Sequence, residues 1–264
     1  MLSKDVNILK SGTDAASRFD ANRKAVGEIE LLIITKKNYI KSFFFKPKIV
    51  PDLITSQDPF EVGLLGIFLA WRFSVPIEIQ VHTDIASPYF ARLSVFNFLR
   101  AQLTKFVLSR ASCVRTVSEA IKNNLNLGIP INVLPVFRSA DISNSKIIGA
   151  SSLKERYPQF KIIGLYTGRF TAEKNLPLAI RAFFEATKGK HDVGLVLLGA
   201  GEEREKLRAL VKKLQIEDRV ICEPWTDDPA SYYLGADFFL CTSWYEGYGV
   251  SLLEAALSEL PIIS

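Results

Sequence analysis

The chain has 264 residues, 48% of them hydrophobic, which is material for one large domain or two ordinary ones with buried cores. Its longest nearly uncharged apolar run, residues 62–71, is about half a membrane span, and the N-terminus carries no signal-peptide pattern, so neither a secreted nor a membrane-spanning protein is expected. The formal charge of +5 is uneven: residues 1–140 hold 18 Lys and Arg against 11 Asp and Glu, whereas residues 141–264 are net −2.

In chain order, residues 1–3 are a strand stub. A helix is expected over 13–26, with Ser11-Gly12 as the turn and cap before it. Strands follow at 30–35 and 52–55. The crossover between them has about sixteen residues, with Pro47 and Pro51, close to the minimum for a parallel connection, so it holds a loop or one helical turn. Next come a helix over 60–73, a strand over 76–81 ending at His82-Thr83-Asp84, and one long helix over 89–109. A strand at 113–117, a short helix capped by Ser118, and a strand at 131–134 complete the first half. Periodicity lapses over 137–150, the expected linker. Beyond a short helix near 152–157, strands are expected at 162–166, 194–198, 219–222, 237–242 and 261–263, with helices at 176–187, 202–214, 229–234 and 250–257. Two series of βα units with a break between them predict an α/β protein of two doubly wound, parallel-sheet, Rossmann-like domains, residues 1–140 and 141–264.

Cys113, Cys222 and Cys241 are odd in number, far apart and each within a strand-like run, so they read as buried thiols in a reducing, cytoplasmic compartment. His82 and His191 are the only histidines, and no cluster has metal-ligand spacing, so no metal is expected. Two acid-free stretches, 36–48 and 85–118, interleave Lys and Arg with Phe and Leu. Such segments suit an anionic membrane surface, or else the cations solubilise the outer face of a core helix. No nucleic-acid-binding signature accompanies the charge.

In a doubly wound sheet ordered 3-2-1-4-5, ligands sit beyond the carboxyl ends of strands one and four, where the order reverses. In the second half those strands end in Gly168-Arg169-Phe170-Thr171-Ala172-Glu173-Lys174-Asn175 and Ser243-Trp244-Tyr245-Glu246-Gly247-Tyr248-Gly249. Taken alone, Arg169 and Lys174 read as surface charges. Converging on a switch point, with Asn175 as cap and Pro177 tolerated in the first turn, they suit a diphosphate. Gly247 and Gly249 let backbone N–H groups face an anion at the next helix start. Glu246 beside such a site would repel a phosphate unless it serves a partner such as sugar hydroxyls. Glu254 lies at the edge of its helix's apolar arc, beside Val250 and Leu257, where a glutamate needs no function.

Glu246 and Glu254, with Gly247-Tyr248-Gly249 between them, resemble the paired-glutamate motif of retaining glycosyltransferases of family 4, enzymes of the GT-B fold. Residues 167–175 resemble that family's diphosphate loop, and Gln57-Asp58-Pro59-Phe60 and Gln80-Val81-His82-Thr83-Asp84 resemble segments of its acceptor domain. The resemblance implies that Arg169 and Lys174 bind the donor diphosphate and that Glu254 holds the ribose. Glu246 would contact the donor sugar near the reacting carbon, and Gly247, Tyr248, Gly249 and Val250 would present backbone to sugar and phosphate. It gives His82, which lies past the fourth strand of the first half at that half's own expected switch point, a part near acceptor and donor; by itself a histidine at a strand end also reads as a hydrogen-bonded structural residue. The implied reaction moves a sugar from a nucleotide diphosphate sugar to a glycan or lipid-linked acceptor hydroxyl with retention. It needs no cofactor and no metal, in cell-envelope glycan or glycolipid synthesis, in the cytoplasm or peripherally at the inner membrane face.

The pattern departs from the family in its stub first strand, its short crossover, and its stop at Ser264 after the fifth strand, where an incomplete second domain is expected. Two other readings stand beside it. One is a truncated relative that binds nucleotide sugar or a partner without transfer. The other is a nicotinamide-dependent oxidoreductase, because Leu198-Gly199-Ala200-Gly201-Glu202-Glu203-Arg204, with Glu223 beyond, half-matches the dinucleotide fingerprint.

Overall fold

The computed structural model describes residues 1–11, 13–136, 153–226 and 229–264. They fall into two compact units, Met1–Pro135 and Val136–Ser264. The expected linker over 137–150, with the expected boundary at 140/141, lies outside the described residues, as does Gly12 of the expected cap.

In the first unit the elements are β1 (Leu2–Ser3), α1 (Asp14–Val26), β2 (Leu32–Ile33), α2 (Tyr39–Ser42), β3 (Ile54–Ser56), α3 (Glu61–Phe73), β4 (Ile77–Val81), α4 (Pro88–Arg92), α5 (Val95–Ser109), β5 (Cys113–Thr116), α6 (Glu119–Leu125) and β6 (Ile131–Val133). The short crossover before β3 does hold a single helical turn, α2. Thr13 caps α1, its Oγ1 accepting from the Ala16 N–H at 3.2 Å. The long helix expected over 89–109 is two helices, because Ser94 turns extended and accepts from the Asn97 N–H at 3.1 Å, starting α5 afresh.

All six strands of this unit are parallel, in the order β2-β1-β3-β4-β5-β6. Stub though it is, β1 pairs on both sides, Leu2 lying opposite Leu32 and Ser56. The order therefore reverses between β1 and β3. His82, expected at this switch point, instead follows β4, one strand further along. The residues beyond β1 and β3 form an ionic cluster: Lys4 Nζ lies 3.3 Å from Asp58 and 2.7 Å from Glu61, and Arg100 lies 3.0 Å from Glu61.

The second unit contains α7 (Leu153–Arg156), β7 (Ile162–Thr167), α8 (Leu176–Ala186), β8 (Val193–Leu198), α9 (Arg204–Lys213), β9 (Val220–Glu223), α10 (Ala230–Gly235), β10 (Phe238–Leu240), α11 (Val250–Leu257) and β11 (Ile262–Ile263). Its parallel sheet has the order β11-β10-β7-β8-β9, the expected 3-2-1-4-5 arrangement. Alternation along β8 shows why. Leu195 and Leu197 pack with Ile180, Phe183 and Leu207 on one face, while Val196 and Leu198 pack with Leu153, Tyr233 and Ala255 on the other. A strand apolar on both faces is held only between two helical layers. Cys241 is buried, but Cys113 and Cys222 are half-buried, at sheet positions less covered than expected.

Candidate functional site

In the second unit β10 and β7 are bonded neighbours, with Phe239 opposite Leu165, so the loops leaving their carboxyl ends lie side by side. Three hydrogen bonds sew them together. Thr242 Oγ1 donates to the carbonyls of Lys174 and Asn175, each at 3.1 Å, and the Trp244 N–H donates to the Glu173 carbonyl at 2.8 Å. Asn175 stands at the N-cap of α8 as expected, but it does so in the left-handed conformation with no side-chain cap bond. It is the backbone there, held by Thr242, that shapes the turn.

Lys174 and Glu246 meet across this seam. The ammonium lies 2.7 and 2.8 Å from the two carboxylate oxygens, and Ser243 Oγ donates to Oε1 at 2.7 Å. The Lys174 side chain is only 15% exposed, so this charge-assisted pair is formed largely away from water. Arg169, by contrast, is 75% exposed, its guanidinium 3.2 Å from Glu173 Oε1, to which Thr171 Oγ1 also donates at 2.7 Å. Beneath them Tyr166 donates to the Arg169 carbonyl at 2.9 Å. Burial, reinforced by the negative field of Glu246 and Glu173, pushes the Tyr166 phenol far up, so it stays a neutral donor.

The turn into α11 is built as the sequence implied. Gly249 is the N-cap with φ 74°, a left-handed conformation that glycine adopts without strain. The first helical bond runs from Leu253 N–H to the Gly249 carbonyl at 3.0 Å. The N–H groups of Val250, Ser251 and Leu252 therefore open out of the helix start, where the dipole favours an anion. Gly247 and Tyr248 are half-buried just ahead of it.

Glu254 departs from expectation. It is not a boundary residue but 5% exposed, facing inward. Tyr233 Oη, fully buried, donates to Glu254 Oε2 at 2.9 Å and also bonds Thr167 Oγ1. One phenol thus links α10, the end of β7 and α11, and gives the buried carboxylate a partner. Glu173, Ser243, Thr242, Tyr233 and Thr167 were not singled out in the sequence. Of these, Ser243, Glu173 and Thr167 lie inside the two distinctive stretches and had a local signal; Thr242 and Tyr233 had none.

The glycine pair of the dinucleotide half-match is used for packing. A Cβ on Gly199 would lie 1.9 Å from the Gly168 carbonyl oxygen, and one on Gly201 would lie 2.3 Å from that of Phe170. Backbone bonds from Gly168 to Leu198 (3.0 Å) and Phe170 to Ala200 (2.8 Å) lock the two loops. Arg204 lies at the start of α9 and donates to the carbonyls of Gly199 and Cys222, each at 3.2 Å. Glu223 accepts from Tyr157, Tyr232 and Arg156. Nothing in this arrangement supports a dinucleotide reading.

In the first unit His82 is exposed, its Nε2 3.3 Å from Gln80 Oε1, an oxygen that also accepts from Arg115 at 2.6 Å. Among the described residues no three His, Cys, Asp or Glu side chains gather as a metal site.

Comparison with known proteins shows what this seam is similar to. Residues 152–264 match the family model Glycosyl transferases group 1. The group 1 match takes in both loops, from the cations after β7 to the helix start of α11. Similar curated proteins include an alpha-monoglucosyldiacylglycerol synthase of Streptococcus pneumoniae, 26% identical over 81% of this chain and 51% of that protein. A Campylobacter jejuni N-acetylgalactosamine-N,N'-diacetylbacillosaminyl-diphospho-undecaprenol 4-alpha-N-acetylgalactosaminyltransferase is 30% identical over 48% of this chain and 33% of its own. The chain thus spans about half the length of these relatives or less. Among solved structures, Anabaena HepE in complex with UDP and glucose superposes with a TM-score of 0.64 at 18% identity, covering 96% of this chain and 71% of its own. The fold class is the expected one: α/β, with two parallel doubly wound sheets of the GT-B type.

Proposed function

We propose that this chain is a retaining glycosyltransferase that moves a sugar from a nucleotide diphosphate sugar to a glycan or lipid-linked acceptor hydroxyl, in cell-surface glycan or glycolipid synthesis. The observation that carries the reading is the seam itself: two cations after β7 and a carboxylate after β10, beside an α11 N-terminus opened by Gly249. A diphosphate placed there meets Arg169, Lys174 and the outward N–H groups of Val250 and its neighbours, which stabilise the charge that grows on the leaving oxygen. Gly247, Tyr248 and Gly249 leave room for close approach of the donor.

In the transfer, the bond from the anomeric carbon to the diphosphate oxygen breaks, and the acceptor oxygen takes its place on the same face. The acceptor proton passes to the released nucleoside diphosphate. Glu246, drawn toward the site by Lys174, contacts the donor sugar near the reacting carbon, and Glu254, fixed by Tyr233, holds the ribose. His82, in the first unit, supplies a hydrogen-bonding group for the acceptor. The glycolipid and undecaprenol-linked products named for the two relatives motivate the acceptor class, and the UDP of the HepE complex motivates a uridine donor as the first to try.

The test is incubation of the full chain with a panel of UDP-, GDP- and ADP-sugars and a glycan or lipid acceptor, with the anomeric configuration of the product read by NMR. Release of nucleoside diphosphate with a product that keeps the donor configuration supports the proposal. Donor binding without turnover supports the non-catalytic reading instead, and an inverted product contradicts retention.

A further inference from the structure

The two acid-free, aromatic stretches of the first unit are treated differently by the fold. Around α5 three of the five cations are engaged inside the unit, while Arg92 and Lys105 are exposed. Arg100 binds Glu61 at 3.0 Å and covers the Phe60 ring, Arg110 covers Phe106, and Arg115 donates to Gln80. Over residues 36–48 the opposite holds. Lys36, Lys37, Lys41, Lys46 and Lys48 are all exposed, and none forms an ion pair with a described residue. From Leu31 to Pro51 there is no acid at all.

The apolar groups between these lysines are held in place. Ring centroids of Phe43 and Phe68 are 5.1 Å apart, and those of Phe68 and Trp71 are 6.0 Å apart. Arg72 donates to the carbonyls of Phe43 (3.0 Å) and Phe45 (3.1 Å), pinning the segment along α3. Yet Ile40 and Phe44 remain 76% exposed and Trp71 75%. Ile40 and Phe44, with Phe43, Phe68 and Arg72, line a shallow depression of about 610 Å³. An exposed apolar patch on an ordered surface marks an interaction site.

We propose that this outer face of α2 and α3 docks on an anionic lipid bilayer. Charge decides for lipid over protein. Lysine is depleted at protein interfaces, whereas exposed lysines interleaved in sequence with Ile40, Phe43 and Phe44 let the apolar groups enter the acyl boundary while the ammonium groups stay with anionic headgroups. The inference does not depend on sugar transfer, since its residues belong to the first unit and the seam is built by the second.

Vesicle flotation of the full chain tests it, with phosphatidylcholine alone against phosphatidylcholine plus phosphatidylglycerol, at low and high salt. The expected result is binding only to the anionic vesicles, weakened by salt, with a blue shift in tryptophan emission that Trp71→Phe removes. Each lysine removed is expected to lower partitioning about fivefold, so Lys41→Gln/Lys46→Gln/Lys48→Gln loses on the order of a hundredfold. Phe44→Ser is expected to lose binding at unchanged charge. These are exposed positions, and unchanged circular dichroism confirms the fold. Equal binding to neutral vesicles overturns the proposal, as does full binding by the triple variant. Loss only with Phe96→Ser/Leu99→Ser on α5 also overturns it. Absence of vesicle binding together with a dimer abolished by Trp71→Ser overturns it in favour of self-association.

Discussion

Lys174 Nζ lies within 2.8 Å of both carboxylate oxygens of Glu246, bridging the loop after β7 and the loop after β10. The pair neutralises itself before a donor arrives, so each partner's replacement has a distinct signature. On the proposed donor pose, Lys174→Ala removes a charge-assisted contact to the diphosphate, worth about 1.5–3 kcal/mol, and leaves Glu246 repelling it. Affinity for a nucleoside diphosphate is expected to fall tenfold or more. Glu246→Gln is expected to leave that affinity unchanged or improved while abolishing most transfer. Calorimetry with the nucleoside diphosphate, beside a turnover assay, separates the two.

Tyr233 and Glu254 form a second relationship. Tyr233→Phe strips the buried carboxylate of its phenolic donor and Thr167 of its partner, at an expected cost of about 1–3 kcal/mol in urea unfolding. Donor affinity is expected to fall with it, because Glu254 is no longer held. Thr167→Val, which removes the other end of the chain while leaving the bond to Glu254, is expected to lower stability but spare affinity.

Gly201→Ala tests the packing role of the glycine pair. The added Cβ would stand 2.3 Å from the Phe170 carbonyl oxygen, and overpacking of this kind costs about 1–3 kcal/mol. A lowered urea midpoint with an unchanged slope is expected. Because Phe170 adjoins Arg169, donor affinity is expected to fall as well.

In the first unit, burial pushes the Glu61 carboxyl up, but hydrogen bonds from Lys4 and Arg100 outweigh it and hold the group down at about 2, against an ordinary value of 4.5. A depressed carboxylate contributes stability that is fully present above pH 4.5 and is lost as pH falls through 2. Unfolding of the wild type and Glu61→Gln, followed from pH 6 to pH 2, is expected to show a gap that narrows across this window. Because Glu61 is half-exposed, the gap is expected to be modest and to shrink with salt.

Local pattern carried much of this in the sequence. The alternation of Leu195 and Leu197 with Val196 and Leu198 already describes a strand buried on both faces, and two such series describe two parallel sheets. The glycine turn before α11 was legible because Gly247 and Gly249, one residue apart, stand between a strand-like run and a helical apolar arc. What escaped the sequence depends on long-range pairing. The first sheet's order follows from two-residue β1 pairing on both sides, which no local pattern encodes, and it moved His82 off the switch point. Glu254 looked like a helix-boundary residue because a wheel cannot show that Tyr233, distant in sequence, supplies a buried partner. The break at Ser94 was hidden by apolar residues on either side that suit one helix as well as two.

The most direct measurement of the central claim is calorimetric titration of the full chain with UDP and UDP-sugars, then the GDP and ADP series, repeated on Arg169→Ala and Glu254→Ala. Saturable binding to one of these series is expected, weakened about tenfold or more by either substitution. Absence of binding across the whole panel, or binding that both variants retain undiminished, would contradict it.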